Sequence, residues 1–194
     1  MDIIVATNNQ GKVKEIKNIL APHNVMSQSE IGIDIDVEET GDTFLENAFL
    51  KARALKQYTD CAIIADDSGL MVDYLNGEPG VYSARYAGDN TTPMQGIEKL
   101  LKNLDGVPFD GRSAHFVSVI ALIMPDGTEY SFDGSCDGYI TNILKGDNGF
   151  GYDPVFYYPP FDKTFAEMTD EEKNAISHRY VAISKLSEFL KTVE

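Results

Sequence analysis

The pattern of apolar and polar positions at the start of the chain predicts a strand, a polar loop and a helix. Ile3–Ala6 is a short apolar run, and Thr7–Lys12 is polar. Apolar residues then recur at positions 13, 16, 19 and 20, which is the spacing of one helix face. A polar loop between a strand and a helix is a common place for ligand-binding residues.

The same kind of pattern continues along the chain and predicts an α/β protein. Thr43 and Glu46 form the capping box of a helix that runs to about Gln57, with Leu45 in its buried stripe, and Thr92-Pro93 begins another helix. The remaining predicted elements are strands over Ile31–Glu39, Ala62–Ala65, Ala114–Met124 and Glu129–Asp133, and a last helix capped by Ser177. No linker or repeat interrupts residues 1–194, so we expect a single domain.

Two adjacent carboxylates follow the apolar run that ends at Ala65. Asp66 and Asp67 repel each other unless a proton or a cation lies between them. The pair is therefore a candidate site for a hard metal such as Mg²⁺, which takes oxygen ligands. The alternative is an ordinary turn at Asp66–Gly69 with both carboxylates in solvent.

The charge balance restricts the partners of this chain. It has 16 Lys and Arg residues against 31 Asp and Glu residues, a formal net charge of −15. Such a surface repels nucleic acid and anionic membranes, and we expect neither as a partner. A phosphate-bearing substrate would need lysines, backbone N–H groups and a metal to reverse the local sign.

The expected location is the cytoplasm. No apolar run is long enough to span a bilayer, and no basic segment precedes an apolar one at the N-terminus. The two cysteines, Cys61 and Cys136, fit neither a disulfide framework nor a metal-finger spacing.

Two loops carry candidate ligand-binding residues. Thr7–Lys12 combines a helix start with a lysine, which suits a phosphate, although it lacks the spacing of a Walker A loop. Gly146–Pro154 is rich in glycine, and its Phe150 and Tyr152 could stack on a planar base. Each loop could equally be a structural turn.

A cation pair at the start of the last helix is unfavourable against the helix dipole. His178 and Arg179 therefore need a partner, such as an anionic or carbonyl-bearing ligand. Tyr82, Arg85 and Tyr86 form a second unusual segment, which could serve either a substrate or a subunit interface.

Six segments, taken in order, closely resemble the inosine triphosphate pyrophosphatase family, also called the Ham1 family. The resemblance covers nearly the whole chain, with no departure at these motifs. The segments are Thr7–Lys12, Glu39–Gly41 with Asn47-Ala48, Ala65–Leu70, Pro79–Tyr86, Gly149–Pro154 and Lys173–Arg179.

The resemblance implies a fold, an activity and a set of site residues. The fold would be a long mixed β-sheet flanked by helices, in two lobes with a central cleft. The activity would be Mg²⁺-dependent hydrolysis of ITP, dITP and XTP to the monophosphate and pyrophosphate, by a homodimer. Asp67 would be the proton acceptor, and Glu39 and Asp67, with Asp66 close by, would hold Mg²⁺. The implied substrate contacts are Thr7, Asn8, Asn9, Gln10, Gly11, Lys12, Lys51, Ser68, Phe150, Gly151, Tyr152, Asp153, Lys173, His178 and Arg179.

Two other functions remain open at this stage. A non-catalytic nucleotide sensor would share the loops but would not need Glu39, Asp66 and Asp67. A related pyrophosphatase could act on pyrimidine or methylated nucleotides instead, and only a panel of substrates separates these cases.

Overall fold

A computed structural model describes residues 1–21 and 23–193 of the chain. Its strands form one mixed seven-stranded sheet in the order β2-β1-β3-β4-β5-β6-β7. The strands are Asp2–Val5 (β1), Asn24–Ser27 (β2), Ala62–Val72 (β3), Ser113–Ile123 (β4), Glu129–Ile140 (β5), Phe156–Tyr158 (β6) and Lys163–Thr164 (β7). Strand β1 pairs in parallel with β2 and β3, whereas β6 pairs antiparallel with β5 and β7. The expected mixed sheet with flanking helices is therefore confirmed.

The helices begin where the sequence supplies caps. Their bounds are Gln10–Ile19 (α1), Phe44–Lys56 (α2), Pro93–Asn103 (α3), Asp170–Asn174 (α4) and His178–Val193 (α5). The side chains of Thr43 and Thr92 each accept a backbone N–H three residues on, which completes a capping box. These local hydrogen bonds explain why the helix starts were predictable.

The chain divides into two compact units, and the division falls inside β3, β4 and β5. Unit 1 contains Met1–Asp67, Ser118–Gly134 and His178–Glu194, and unit 2 contains Ser68–Val117 and Ser135–Ser177. The single domain with a central cleft stays a prediction. Among the described residues, none of the helices combines the length and the apolar character that crossing a bilayer requires.

Unit 1 has a hydrophobic core on each face of its part of the sheet. Ile3 and Ile64 point toward α1 and α5, and Ile4 and Ile63 point toward α2. Both faces are covered, so Ile3–Val5 of β1 and Ala62–Ala65 of β3 are apolar and buried without alternation, as expected for parallel strands between helices. Unit 2 has one core, in which α3 packs with residues of β3, β4, β5 and β6.

Three local predictions were wrong. Ile31–Glu39 is not a strand, although Ile31, Ile33 and Ile35 do pack against the α2 core. The alternation in the sequence reflects the packing of every second side chain against the core. The main chain of this segment, however, pairs with none of the strands that the structure describes. The predicted turn at Asp66–Gly69 is also absent, because β3 continues through it to Val72. Leu45 was expected in the buried stripe of α2 but is exposed, and Asn47 is buried on that helix instead.

Gly134 allows α5 to approach β5 closely. A Cβ atom at this position would lie 2.2 Å from the carbonyl oxygen of His178 and 2.5 Å from the backbone nitrogen of Ala182. A glycine in a strand interior commonly marks such a close backbone approach.

We therefore expect Gly134→Ala to lower the free energy of unfolding by about 1–3 kcal/mol, the usual cost of overpacking. Urea denaturation followed by circular dichroism measures this change. Ser131→Ala, at an exposed position of the same strand, is the matched control. Equal stability of the two variants would contradict the close-packing argument.

Candidate functional site

Strand β3 delivers two neighbouring carboxylates to opposite faces of the sheet in unit 1. Side chains alternate along a strand. Asp66 therefore shares the face of Ile64, toward α1 and α5, and Asp67 shares the face of Ala65, toward α2. Both carboxylates are buried, with residue exposures of 1% and 4%. Neither lies in a solvated turn, so each needs compensation from its surroundings.

Three donors from three different elements surround the Asp66 carboxylate; Ser118 and Arg179 are buried, and Lys12 is half-buried. One carboxylate oxygen lies 2.7 Å from the ammonium of Lys12 on α1 and 3.2 Å from Nε of Arg179 on α5. The other oxygen accepts a hydrogen bond of 2.6 Å from the hydroxyl of Ser118 on β4. Burial alone would raise the pKa of Asp66, but the charges of Arg179 and Lys12 outweigh it and hold that pKa well below its usual range. Asp66 is therefore a carboxylate at neutral pH.

The partner that Arg179 was predicted to need comes from the protein itself. Its guanidinium pairs with Glu15 on α1 as well as with Asp66, and the residue is only 1% exposed. The two carboxylates offset the unfavourable position of this cation at a helix start. Glu15 was not predicted from the sequence, although it lies one turn beyond Lys12 on the same helix.

Lys12 is the less compensated cation of this cluster. Burial lowers its pKa, and the attraction of Asp66 only partly offsets that effect. Its ammonium also lies 3.4 Å from the main-chain oxygen of Asp66. An anionic ligand near Lys12 would relieve the remaining desolvation.

The Asp67 face has the opposite imbalance, with two carboxylates on one ammonium. Nζ of Lys51 lies 2.8 Å from Asp67, 3.0 Å from Glu39 and 2.9 Å from the main-chain oxygen of Asp66. Burial lowers the pKa of Lys51, but the charges of Asp67 and Glu39 reverse this and raise it. Burial raises the pKa of Asp67, and Lys51 does not fully cancel that rise.

One carboxylate oxygen of Asp67 makes no hydrogen bond with the described part of the chain. Oδ2 of Asp67 is buried, and no donor among residues 1–21 and 23–193 reaches it. Glu39 and Asp67 together offer carboxylate oxygens that share a single cation, and these fit a hard divalent ion such as Mg²⁺. Within the described residues no group of three or more His, Cys, Asp or Glu side chains is arranged to hold a metal. Asp66 points to the other face, so the structure does not bring it to Glu39 and Asp67 as a third ligand.

The Thr7–Lys12 loop lies where β1 leads into α1. The side chain of Asn9 accepts the backbone N–H of Lys12 and caps the helix, and Thr7 Oγ1 accepts the N–H of Asn9. Oδ1 of Asn8 accepts a 2.9 Å hydrogen bond from Gln28. Asn8, Asn9 and Gln10 are exposed, so the loop presents polar groups beside Lys12.

Asp153 organises the glycine-rich loop in unit 2. Its Oδ2 accepts hydrogen bonds of 2.8 Å from the backbone N–H of Phe150 and from Lys173. Gly149 has φ +76°, and a Cβ there would lie 2.0 Å from the same oxygen. Lys173 is buried and also lies over the ring of Phe150, 4.7 Å from its centroid.

The two aromatic residues of this loop have different surroundings. Tyr152 is buried, and its hydroxyl donates to the carbonyl of Ser83 at 2.8 Å. Phe150 is 37% exposed and lines a pocket of about 380 Å³ together with Met94, Leu144 and the loop backbone. Phe150 is therefore the ring that a ligand in this pocket could reach.

The structure places the predicted site residues in two sets. Unit 1 contains the larger set, and the ion pairs described above connect its charged members. This set is Thr7–Lys12, Glu39, Lys51, Asp66, Asp67, His178 and Arg179. Unit 2 contains the smaller set, which is Ser68, Phe150–Asp153 and Lys173. Gly151 lies on the loop with φ +61°, Ser68 is half-buried on β3, and His178 is buried in the first turn of α5.

Two of the unusual aromatic residues around Arg85 also differ from each other. Tyr86 is buried, and its hydroxyl contacts Glu78 and Asn103, so it belongs to the packing of unit 2. Tyr82 is exposed, with the guanidinium of Arg85 5.1 Å from its ring centroid. An interface or a substrate role for Tyr82 and Arg85 stays open.

The two adjacent carboxylates should respond differently to neutralisation. Asp66→Asn removes the shared partner of two buried cations and should lower the free energy of unfolding by about 3–5 kcal/mol. Asp67→Asn removes a desolvated carboxylate and leaves Glu39 on Lys51, so its effect should be about 1 kcal/mol or less. Urea denaturation at neutral pH measures both.

The pH dependence checks the cause of this difference. Because the pKa of Asp66 is lowered in the folded state, its stabilisation is complete above its ordinary pKa of 3.8 and is lost as the pH falls further. The gap between the unmodified protein and Asp66→Asn should therefore narrow below that pH. A gap that stays constant through this range would contradict the ion-pair explanation.

Known proteins resemble this chain over nearly its whole length. The model of the Ham1 family matches residues 3–189. A dITP/XTP pyrophosphatase of Clostridium perfringens is 50% identical over 98% of this chain and 97% of its own length, and one of Bacillus licheniformis is 49% identical over 97% of each. The solved structure of the Staphylococcus aureus Ham1 protein covers 100% of both chains with a TM-score of 0.89 and 48% identity. A HAM1 protein from Coxiella burnetii covers 99% of both with a TM-score of 0.89 and 41% identity. The chain therefore belongs to the Ham1 family.

Proposed function

We propose that this protein hydrolyses non-canonical purine nucleoside triphosphates, namely ITP, dITP and XTP, to the monophosphate and pyrophosphate with Mg²⁺. The observation that carries the proposal is the buried Asp67 carboxylate, which shares Lys51 with Glu39 and has one unsatisfied oxygen. Relatives about 50% identical over nearly their whole length are named dITP/XTP pyrophosphatases, which supports the same chemistry here.

Binding of the triphosphate is assigned to the loop at the start of α1 and to two lysines. The helix start supplies N–H groups and a partial positive charge, which favour phosphate. Lys12 and Lys51 both contact the main-chain oxygen of Asp66, so their ammonium groups lie near one another. They place two ammonium groups beside the helix start on a chain whose net charge is −15. Each ammonium is already paired with carboxylates, so Mg²⁺ would be needed as well to offset the charge of a triphosphate.

Glu39 and Asp67 would hold Mg²⁺. Their carboxylates share the ammonium of Lys51, and Oδ2 of Asp67 has no hydrogen-bond donor among the described residues. The bound ion would neutralise charge that develops on the phosphates. Mg²⁺ commonly keeps waters and takes substrate phosphate oxygens besides one or two carboxylates. Two protein ligands are therefore enough for this role.

Asp67 is also assigned as the proton acceptor for the attacking water. Hydrolysis of a phosphoanhydride needs a positioned water and a base as well as charge neutralisation. Burial raises the pKa of Asp67 in the absence of Mg²⁺, and a carboxylate at this position can accept the proton of an attacking water. Lys51 contacts this carboxylate at 2.8 Å and restricts its orientation.

Recognition of the base is assigned to the Phe150–Asp153 loop, with Lys173 and Ser68 as further substrate contacts. Phe150 offers an exposed ring for stacking, and Asp153 fixes the backbone that carries it. Inosine and xanthosine have a carbonyl at the purine 6-position, where adenine has an amino group. A donor aimed at that position, such as His178, favours the carbonyl, because adenine would leave a buried donor unpaired. Arg179 is already held by Asp66 and Glu15.

The remaining expectations belong to the same proposal. We infer that residues 1–194 act as one two-lobed pyrophosphatase domain, that the protein is a cytoplasmic homodimer, and that neither nucleic acid nor membrane is a partner. A nucleotide sensor on the same fold would have no need for Glu39 and Asp67 to share one lysine, which favours an enzyme.

The first test is a product assay. The purified protein should release pyrophosphate from ITP and XTP in Mg²⁺, little from ATP, and almost none with a chelator present. Pyrophosphate and orthophosphate are measured separately, because orthophosphate would mean cleavage at the terminal phosphate. Binding of ITP without any product would favour the sensor, and a preference for pyrimidine triphosphates would favour the other class of pyrophosphatase.

A second test compares the loss of the Asp67 carboxylate with the loss of a carboxylate elsewhere on this acidic protein. Asp67→Asn should lower kcat for ITP by at least about 100-fold through loss of the base, while circular dichroism shows an unchanged fold. It should also weaken Mg²⁺ binding, measured by calorimetry without substrate. Asp110→Asn, at an exposed position in unit 2, is the control. Turnover by Asp67→Asn close to that of the unmodified protein would remove this residue as the base.

A further inference from the structure

Ser118 is a polar residue in an otherwise apolar row. On one face of β4 the alternate residues are Ala114, Phe116, Ser118, Ile120 and Leu122, and all five are buried. Ser118 itself is 0% exposed. A buried hydroxyl in such a row needs a hydrogen-bond partner, and its position is of interest because it adjoins the charged cluster.

The partner of Ser118 is the Asp66 carboxylate. The hydroxyl donates to Oδ1 at 2.6 Å, while Lys12 and Arg179 lie on Oδ2. The donors are thus divided between the two oxygens, with the neutral donor on one and the two cations on the other. The terminal torsion of an aspartate is broad, so the carboxylate plane is set by its hydrogen bonds.

We propose that Ser118 is a positioning residue for the phosphate-binding lysine. Its hydroxyl fixes the plane of the Asp66 carboxylate, and Oδ2 of that carboxylate then holds Lys12 at the start of α1. Ser118 touches no substrate and acts only through Asp66 and Lys12. The inference rests on the proposed function, because it takes the loop at Lys12 as the site of the triphosphate.

The geometry supports a positioning role over a purely packing role. The hydrogen bond joins residues 52 positions apart, and the ion pair of Arg179 with the same carboxylate joins residues 113 apart. Strand β4 and helices α1 and α5 therefore meet at one carboxylate. An alanine at position 118 would fit the apolar row but would remove a donor from the buried Asp66 carboxylate. Ser118→Ala should therefore alter the orientation of Asp66 as well as the stability of the fold.

The experiment measures binding of inorganic tripolyphosphate in Mg²⁺ by calorimetry, together with KM and kcat for ITP. Ser118→Ala should weaken tripolyphosphate binding about tenfold, which lies within the range of coupling between members of one hydrogen-bond and ion-pair network. KM for ITP should rise in parallel, with kcat changed less. Ser118→Cys keeps a weaker donor of similar size and should recover part of the loss.

Two controls separate positioning from structure. Ser27→Ala removes another buried serine hydroxyl of unit 1, which pairs with Ser29, and should leave binding unchanged. Lys12→Ala should weaken binding by itself. If Ser118 acts through Lys12, adding Ser118→Ala to Lys12→Ala should change binding by less than about twofold.

The outcomes decide the inference and the proposed function separately. Binding by Ser118→Ala within twofold of the unmodified protein would overturn the inference, and so would an undiminished loss in the Lys12→Ala background. If Ser118→Ala does not fold, Ser118→Cys replaces it in the experiment. Weakened binding by Ser118→Cys, with a further loss of less than about twofold in the Lys12→Ala background, supports the inference. Full binding by Ser118→Cys, or an undiminished loss in that background, overturns it. If the unmodified protein binds tripolyphosphate with the expected pattern but releases no pyrophosphate from ITP, the proposed function fails and the positioning role stands. If it does not bind tripolyphosphate, the positioning role fails even where ITP is hydrolysed.

Discussion

The structure of unit 1 depends on the compensation of one buried carboxylate, that of Asp66. A carboxylate in a protein interior is tolerated only when charges and hydrogen bonds replace its lost hydration. Here Lys12, Arg179 and Ser118 supply that replacement from a helix start, a second helix start and a central strand. The same contacts fix where α1 and α5 begin against the sheet. Stability and the geometry of the candidate site therefore have one physical origin.

Asp67, the residue after Asp66, lies on the opposite face of the sheet and has different electrostatic surroundings. Asp67 follows Asp66 directly, but the alternation of the strand turns it toward α2, where a single lysine meets two carboxylates. Asp66 is held ionised by two cations, whereas burial raises the pKa of Asp67. One of these aspartates is suited to hold cationic side chains, and the other to accept a proton or a metal ion. Such a division of roles between adjacent carboxylates is a known way to obtain acid–base chemistry.

The charge of the whole chain makes this local arrangement necessary. With a net charge of −15, the protein repels a triphosphate at a distance. Cations and backbone N–H groups beside a helix start offset this repulsion at short range, where screening by salt is weak. In unit 2, Lys173 has a comparable position, since it is buried, pairs with Asp153 and lies over Phe150.

The sequence by itself determined the local elements and the residues of the family motifs. The capping boxes at Thr43 and Thr92 predicted two helix starts correctly, because those hydrogen bonds join residues three apart. The helical spacing after Lys12 predicted the first helix, although that helix begins earlier, at Gln10. Only the tertiary structure decided that β3 continues through Asp66–Gly69 and that Ile31–Glu39 stays outside the sheet, since both depend on which strands lie alongside. It also decided that Arg179 pairs with Asp66 and Glu15, and that Ser118 joins them. These contacts link residues 52 to 164 positions apart, and no local pattern encodes such distances.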